Sequence, residues 1–131
     1  MQKNILFLSL LGMLFLSCNK NQPSLDEKLY ADLCISPDKY ATPVKQLEFK
    51  NKNAVIKYGT GAYYAYFWYI QIEGYEKQLF SPCTFPEVFK QDGMKVLISG
   101  TSYSLPCKPG IPCGSAANTP IVLYDIKQVE N

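Results

Sequence analysis

Apolar and polar positions alternate with a period of two along most of the chain from Val44 onward, and this alternation predicts β-strands. The densest run of aromatic and β-branched residues covers residues 63–72 and predicts the strongest strand. A turn or bulge at 51–53 interrupts the first strand, and Glu73-Gly74 predicts a hairpin turn. The predicted strands cover residues 44–58, 63–72, 75–81, 94–102 and 121–129.

Helical signals appear at two places. Ser24 followed by Glu27 matches a capping box and predicts a short helix from about Leu25 to Cys34. Thr84 followed three residues later by Glu predicts a second helical segment of one or two turns. That segment is expected to end at Gly93, which supplies a left-handed cap.

The second half of the chain therefore reads as three strands, a short helix and two strands. That order is the one an OB-fold uses, a five-stranded and partly open Greek-key barrel. The helix would then plug one end of the barrel with Phe85, Val88 and Phe89. We expect an all-β single domain with one short helix over residues 25–131, a small five-stranded OB-like barrel. A small antiparallel sandwich is the alternative.

The N-terminus follows the three-part plan of a bacterial export signal. Lys3 precedes roughly 12 mostly apolar residues, whereas a helix that spans a bilayer needs about 20. The string LFLSC, which ends at Cys18, resembles a lipobox, in which the cysteine is diacylated and becomes the new N-terminus. The resemblance implies a signal peptide over residues 1–17, a lipidated tether over residues 18–24, and attachment to the membrane through the lipid.

Two features resemble small lipoproteins of the Bacteroidetes. The signal core of leucines and phenylalanines ending in Ser-Cys is similar to signals common in that group. The segment LFSPCTFPEVFKQDGMKVLISG (79–100) resembles a recurring segment of the form P-x-N-L-P-x-x-F-K-x-D-G-x-x-V-x-F-S-G, and more distantly the NigD-like proteins of bacteriocin gene clusters. The matching residues are Pro82, Pro86, Phe89, Lys90, Asp92, Gly93, Val96, Ser99 and Gly100. Cys83 and Phe85 depart from the usual Asn and Leu.

That second resemblance covers about a fifth of the mature chain and concerns residues of turns, caps and the plug. It implies an OB-like domain and brings no catalytic residues with it. The expected location is the cell envelope, with the anchor in the outer membrane and its periplasmic or surface side left open.

The five cysteines support export. Removing Cys18 as the lipid anchor leaves an even set of four, which reads as two disulfides with three possible connectivities. Cys107 and Cys113 are close enough in sequence to pair, and Cys34 with Cys83 is then expected by default. A thiolate metal site is the alternative, but the close Cys pairs typical of structural zinc are missing from the sequence.

Composition argues against most catalytic and nucleic-acid functions. The chain has no His, and all of its basic residues are Lys. It therefore lacks the usual general base near neutral pH and the guanidinium fork that reads guanine or clamps phosphate. We expect no enzyme activity, no cofactor, no metal and no nucleic-acid partner.

Two surfaces are candidates for binding. Strand alternation over residues 63–72 places Tyr64, Tyr66 and Trp68 on the core face, and Tyr63, Phe67 and Tyr69 on the opposite face. Partly exposed aromatic side chains suit stacking on sugar rings or packing against a partner protein. The second surface is the loop 105–113, which a Cys107–Cys113 disulfide would brace so that it displays Lys108 and Ile111. In both cases a purely structural role is the alternative.

Two functions follow from these expectations. The first is a lipid-anchored, non-catalytic binding or accessory module for an envelope protein or polysaccharide. The second is an immunity or inhibitor protein of the envelope that acts through the loop 105–113.

Overall fold

The computed structural model describes residues 24–60, 66–113 and 118–130. One helix, α1 (Leu25–Asp32), precedes five strands, and a short 3-10 turn, here called the plug turn (Glu87–Phe89), separates the third strand from the fourth. The strands are β1 (Val44–Thr60), β2 (Tyr66–Ile72), β3 (Phe80–Pro82), β4 (Lys95–Ser104) and β5 (Thr119–Gln128). The predicted signal peptide, Cys18 and the tether up to residue 23 lie outside the described residues.

The five strands close into a barrel in the order β1-β2-β3-β5-β4. All neighbours are antiparallel except β3 and β5, which run parallel over three residue pairs. This closed, mostly antiparallel barrel with a short helical element between β3 and β4 matches an OB-like fold. The predicted fold class is therefore confirmed, and the sandwich alternative is wrong because the sheet closes on itself.

The barrel interior is filled by apolar side chains from alternating positions of every strand. The buried cluster comprises Phe49, Ala54, Ile56, Ile70, Ile72, Phe80, Met94, Val96, Ile98 and Ile121. At the centre, the Phe49 ring meets Tyr75 and Phe80 edge to face, with centroids 5.3 and 5.4 Å apart. Such edge-to-face pairs add to the stabilisation that apolar burial provides.

β1 is long enough to pair with two different neighbours. Its first part, up to Val55, pairs with β4, and residues 54–60 pair with β2. The register shifts between Phe49 and Lys52, where Asn51 adopts a left-handed backbone with φ 49° and its N–H donates to Ser99 Oγ at 3.0 Å. This bulge, predicted as a turn or bulge at 51–53, bends β1 so that one strand serves both sides of the barrel.

A second irregularity lets β4 and β5 approach closely. The β4–β5 register shifts between Ser99 and Gly100. A Cβ at Gly100 would lie 2.5 Å from the carbonyl oxygen of Val122 and 3.2 Å from Leu123 Cα. Only glycine therefore fits at this point of the barrel.

The third strand is shorter than predicted. Residues 75–78 form a turn instead of a strand, because Tyr75 N donates to Ile72 O and Gln78 N donates to Tyr75 O. The Tyr75 ring packs against Phe49 and so removes this residue from the strand ladder. β3 keeps only residues Phe80–Pro82.

The predicted helix after β3 is also reduced, to the single plug turn. Thr84 was expected to cap it, but Pro86 occupies the position before the turn and no side chain caps it. Proline at 86 disfavours helical backbone at Phe85, so a helix cannot begin earlier. Phe85 and Phe89 pack against the core as predicted, whereas the expected plugging role of Val88 is wrong, since this residue is 74 % exposed. Gly93 has the expected positive φ.

Helix α1 begins as predicted and ends two residues early. The capping box at its start is complete, since Ser24 Oγ accepts from Glu27 N and Glu27 Oε2 accepts from Ser24 N. At its end, Cys34 takes a left-handed conformation with φ 53°, and Ile35 N donates to Tyr30 O. This is a Schellman motif with cysteine at the position that glycine usually occupies.

Two disulfides attach the segments outside the barrel, with the predicted pairing. Cys34 and Cys83 join the end of α1 to the segment after β3, with Cα atoms 5.7 Å apart. Cys107 and Cys113 close the loop before β5, with Cα atoms 5.6 Å apart. The chain after α1 then pairs with that loop through an isolated bridge between Tyr40 and Cys107.

Gly100→Ala should destabilise the protein by about 2 kcal/mol or more, because the added methyl group would collide with backbone of β5. Gly59→Ala is the matched control: its Cβ would meet only the Tyr69 ring, at 3.4 Å, so we expect a change within about 0.5 kcal/mol. Urea unfolding measures both variants. Equal stability of the two would contradict the close approach.

The two disulfides should contribute unequally to stability. Replacing Cys34 and Cys83 together by Ala should cost about 4 kcal/mol, since the bond closes a loop with a sequence separation of 49. The same change at Cys107 and Cys113, separated by 6, should cost about 2 kcal/mol. Unfolding in urea without reductant tests this order, and a larger loss from the short loop would refute it.

Candidate functional site

The first candidate surface is the outer aromatic face, defined here as Phe67 and Tyr69 of β2 with Lys57 and Gly59 opposite them on β1. Gly59 pairs with Phe67, and Lys57 pairs with Tyr69. The two rings lie 5.5 Å apart and are tilted by 50°, and both are half-buried. The Tyr69 ring leans over Gly59, where the missing side chain leaves room for it. The face thus offers two adjacent rings beside one cation.

The predicted division of β2 into an inner and an outer face is confirmed for the residues whose side chains are described. Ile70 and Ile72 are fully buried, and Trp68 packs against the core. Phe67 and Tyr69 alternate with them on the outside. The expected binding residue Tyr63 lies outside the described residues, as does Tyr64, and the side chain of Tyr66 is likewise not described.

A second aromatic group lies at the end of the barrel that the plug turn covers. Tyr58 and Trp68, paired across β1 and β2, have ring centroids 4.7 Å apart. Phe85 follows at 6.4 Å from Trp68. Tyr58 is 45 % exposed, and its backbone N–H donates to Asp92 Oδ1 at 3.0 Å. We call this group, with the plug turn, the plugged end.

Sequence reasoning did not select Tyr58 as a site residue. Its signal was nevertheless present, because Tyr58 continues the inward period of Ala54 and Ile56. β1 continues beyond the buried core at this point, so Tyr58 lies at the rim of the barrel.

The second predicted surface, the disulfide loop, lies at the other end of the barrel. Lys108 and Ile111 are both exposed, and Ile111 N donates to Lys108 O at 3.0 Å across a tight turn. Tyr40 holds the loop from outside, since its hydroxyl donates to Cys113 O at 3.1 Å. Tyr40 also lines a cleft of about 620 Å³ together with Tyr75, which follows the far end of β2. Lys108 and Ile111 therefore do not join Phe67 and Tyr69 in one site.

Two further clefts carry charged side chains. One, of about 500 Å³, lies between α1 and β5, where Lys28 and Asp32 pair with each other at 3.0 Å. The other, of about 340 Å³, is lined by Glu73, Glu76 and Lys95. Both clefts open to solvent, the first beside the Lys28–Asp32 ion pair and the second beside the turn after β2.

The pKa shifts of two groups that line the clefts, Glu76 and Tyr103, favour the ionised carboxylate and the neutral phenol, the forms present at neutral pH. The N–H of Gly74 donates to Glu76 Oε1 at 2.9 Å and lowers the pKa of that carboxyl, which stays ionised. Burial, together with a hydrogen bond between its hydroxyl and Tyr124, raises the pKa of Tyr103 to about 12, so this hydroxyl stays neutral. Neither group is suited to exchange a proton near pH 7.

Metal ligation finds little support in the part of the chain that the structure describes. No group of three or more His, Cys, Asp or Glu side chains there is arranged to hold an ion. All four cysteines in that part are paired in disulfides, so their sulfurs are not available as thiolate ligands.

The described surface thus offers two aromatic groups, one braced loop and three open clefts. Comparisons of the chain with protein-family models, with curated proteins and with solved structures find no match.

Proposed function

We propose that this protein is a lipid-anchored module of the bacterial cell envelope that binds an envelope protein or polysaccharide and catalyses no reaction. The observation that carries the binding role is the outer aromatic face. Phe67 and Tyr69 are large rings on the outside of a closed barrel, where core packing does not require them. Rings placed in this way are common anchors for protein partners and for the flat faces of sugars.

The anchor is supported by the sequence of the N-terminus. A charged start, a short apolar run and Ser17-Cys18 form the pattern of a lipoprotein signal, resembling those of Bacteroidetes. Among the described residues, no helix is long and apolar enough to cross a bilayer. The disulfides fit an oxidising compartment outside the cytosol. The proposed location is the outer membrane.

The proposed lack of catalysis and of nucleic-acid binding is supported by composition. The chain contains no His and no Arg, and Lys and acidic side chains nearly balance at a formal net charge of +2. A near-neutral surface provides little attraction for a phosphate backbone. No cofactor is required for the proposed binding role.

A second candidate function has a specific observation in its favour. The loop closed by Cys107 and Cys113 displays Lys108 and Ile111, and Tyr40 stiffens it from the side. A loop held rigid by a disulfide loses less conformational freedom when it binds a partner, which favours an inhibitor or immunity function. Pro109 follows Lys108 directly, which argues against trypsin-like inhibition at that lysine.

Cys18→Ala should yield protein without acyl chains that is either soluble or unprocessed, because stable attachment of the mature chain depends on the acyl chains at this residue. Flotation of cell membranes on a density gradient, followed by intact mass of the recovered chain, measures both location and acylation. Wild-type protein that carries no lipid mass would contradict the anchor.

Replacing Phe67 and Tyr69 together by Ala should weaken binding to envelope components at least tenfold, because aromatic anchors dominate binding energy. The fold should persist, since both rings lie outside the core cluster. Cross-linking in native membranes and binding to isolated envelope polysaccharide provide the measurements.

The variant with Lys108 and Ile111 both replaced by Ala is the matched control for that experiment. It truncates a surface of similar size at the other end of the barrel. Loss of binding in the loop variant, with the Phe67 and Tyr69 variant unchanged, would favour the inhibitor or immunity function instead.

A further inference from the structure

The plugged end of the barrel exposes apolar side chains that the core does not use. Val88 of the plug turn is 74 % exposed, and Tyr58, whose ring lies against Trp68, is 45 % exposed. Phe85 and Asp92, which flank the plug turn in the chain, contact Trp68 and Tyr58. Exposed apolar side chains near one another often mark a surface that is covered in the working protein.

Val88 belongs to a segment that a disulfide joins to α1, the helix that follows the proposed anchor. From Cys18 to Ser24 the extended chain spans at most about 20 Å, and α1 adds about 12 Å. At the end of α1 the disulfide leads straight to Cys83, two residues before Phe85. Ala31 near the end of α1 and Thr84 after β3 line the same cleft.

The chemistry of the plugged end suits the headgroup region of a bilayer. Tyr and Trp are enriched at that depth because their rings are apolar at one end and polar at the other. Two lysines of the flanking segments pair with carboxylates, Lys90 with Glu87 and Lys28 with Asp32, and Lys57 lies on the outer aromatic face. The contact would therefore depend on apolar burial and on the anchor, and it should change little with salt.

We infer that the plugged end rests on the headgroups of the membrane that holds the lipid anchor, with Val88 and Tyr58 as the contacting side chains. This inference depends on the proposed lipid anchor. It also orients the domain: the disulfide loop, held by Tyr40 at the opposite end of the barrel, points away from the membrane. The outer aromatic face then looks sideways, where an envelope partner can reach it.

The single tryptophan of the chain makes this orientation measurable. The full-length acylated protein is reconstituted in vesicles of phosphatidylethanolamine and phosphatidylglycerol, with and without lipids brominated near the headgroup. We expect bromine to quench Trp68 emission by at least a third, and the vesicles to reduce its quenching by iodide at least twofold. Raising the salt concentration should leave both values nearly unchanged.

Val88→Asp should at least halve the quenching by brominated lipid while the protein stays anchored. Ile111→Asp is the matched control, since it places the same charge on an exposed apolar residue at the opposite end and should have no effect. Circular dichroism and thermal melting verify that both variants are folded.

The outcomes separate the orientation from the anchor. If wild-type protein floats with the vesicles but Trp68 emission is the same with and without bromine, the plugged end does not face the membrane and the inference is overturned. If wild-type protein does not float, the lipid anchor fails and the inference fails with it. If Val88→Asp leaves quenching unchanged but abolishes capture of an envelope protein or glycan, the plugged end is a partner site instead, which also overturns it.

Discussion

The structure depends on one constraint, which is that a single strand, β1, must hydrogen-bond to β4 along its first part and to β2 along its second. A straight strand cannot do this in a barrel of five strands, because its side chains would leave the core as the sheet curves. The bulge at Asn51 resolves the conflict by adding a residue and bending the strand. Phe49 before the bulge and Ala54 after it then both face the same interior.

Closure of the barrel also depends on β3, on the side opposite the bulge. β3 contributes only three residues, so the sheet is held there by its short parallel pairing with β5 and by a single residue pair with β2. The close approach of β5 to Gly100 of β4 draws the remaining strands together. The buried core is mainly aliphatic, and Phe49 and Phe80 are its two aromatic members, with the partly buried Tyr75 packed against them.

The segments outside the barrel are held by different forces. Helix α1 has no buried residue. Leu33, just after it, is the first fully buried side chain of the described residues. The disulfide at Cys34 and the bridge at Tyr40 therefore secure this part of the chain, where apolar burial is limited. A domain of this size gains from such cross-links because its core alone buries little surface. The same cross-links bring the start of the domain next to the plugged end.

The sequence by itself determined the elements that depend on local periodicity and chemistry. These are the order of the elements along the chain, the capping box at Ser24 and Glu27, the two faces of β2, and an even number of cysteines once Cys18 is removed. Alternation fixes which side of a strand a residue occupies, so Trp68 and Tyr69 could be assigned to opposite sides without a structure.

Tertiary structure decided the features that depend on distant neighbours. Only the closed barrel shows that Gly100 lies against Val122, that Tyr58 reaches the rim, and that Val88 points to solvent. The length of β3 was also decided there, since Tyr75 lies in a turn after β2 and its ring packs on Phe49, which is distant in sequence. Local patterns specify the side of a strand, but where that strand ends is set by the packing of residues far apart in sequence.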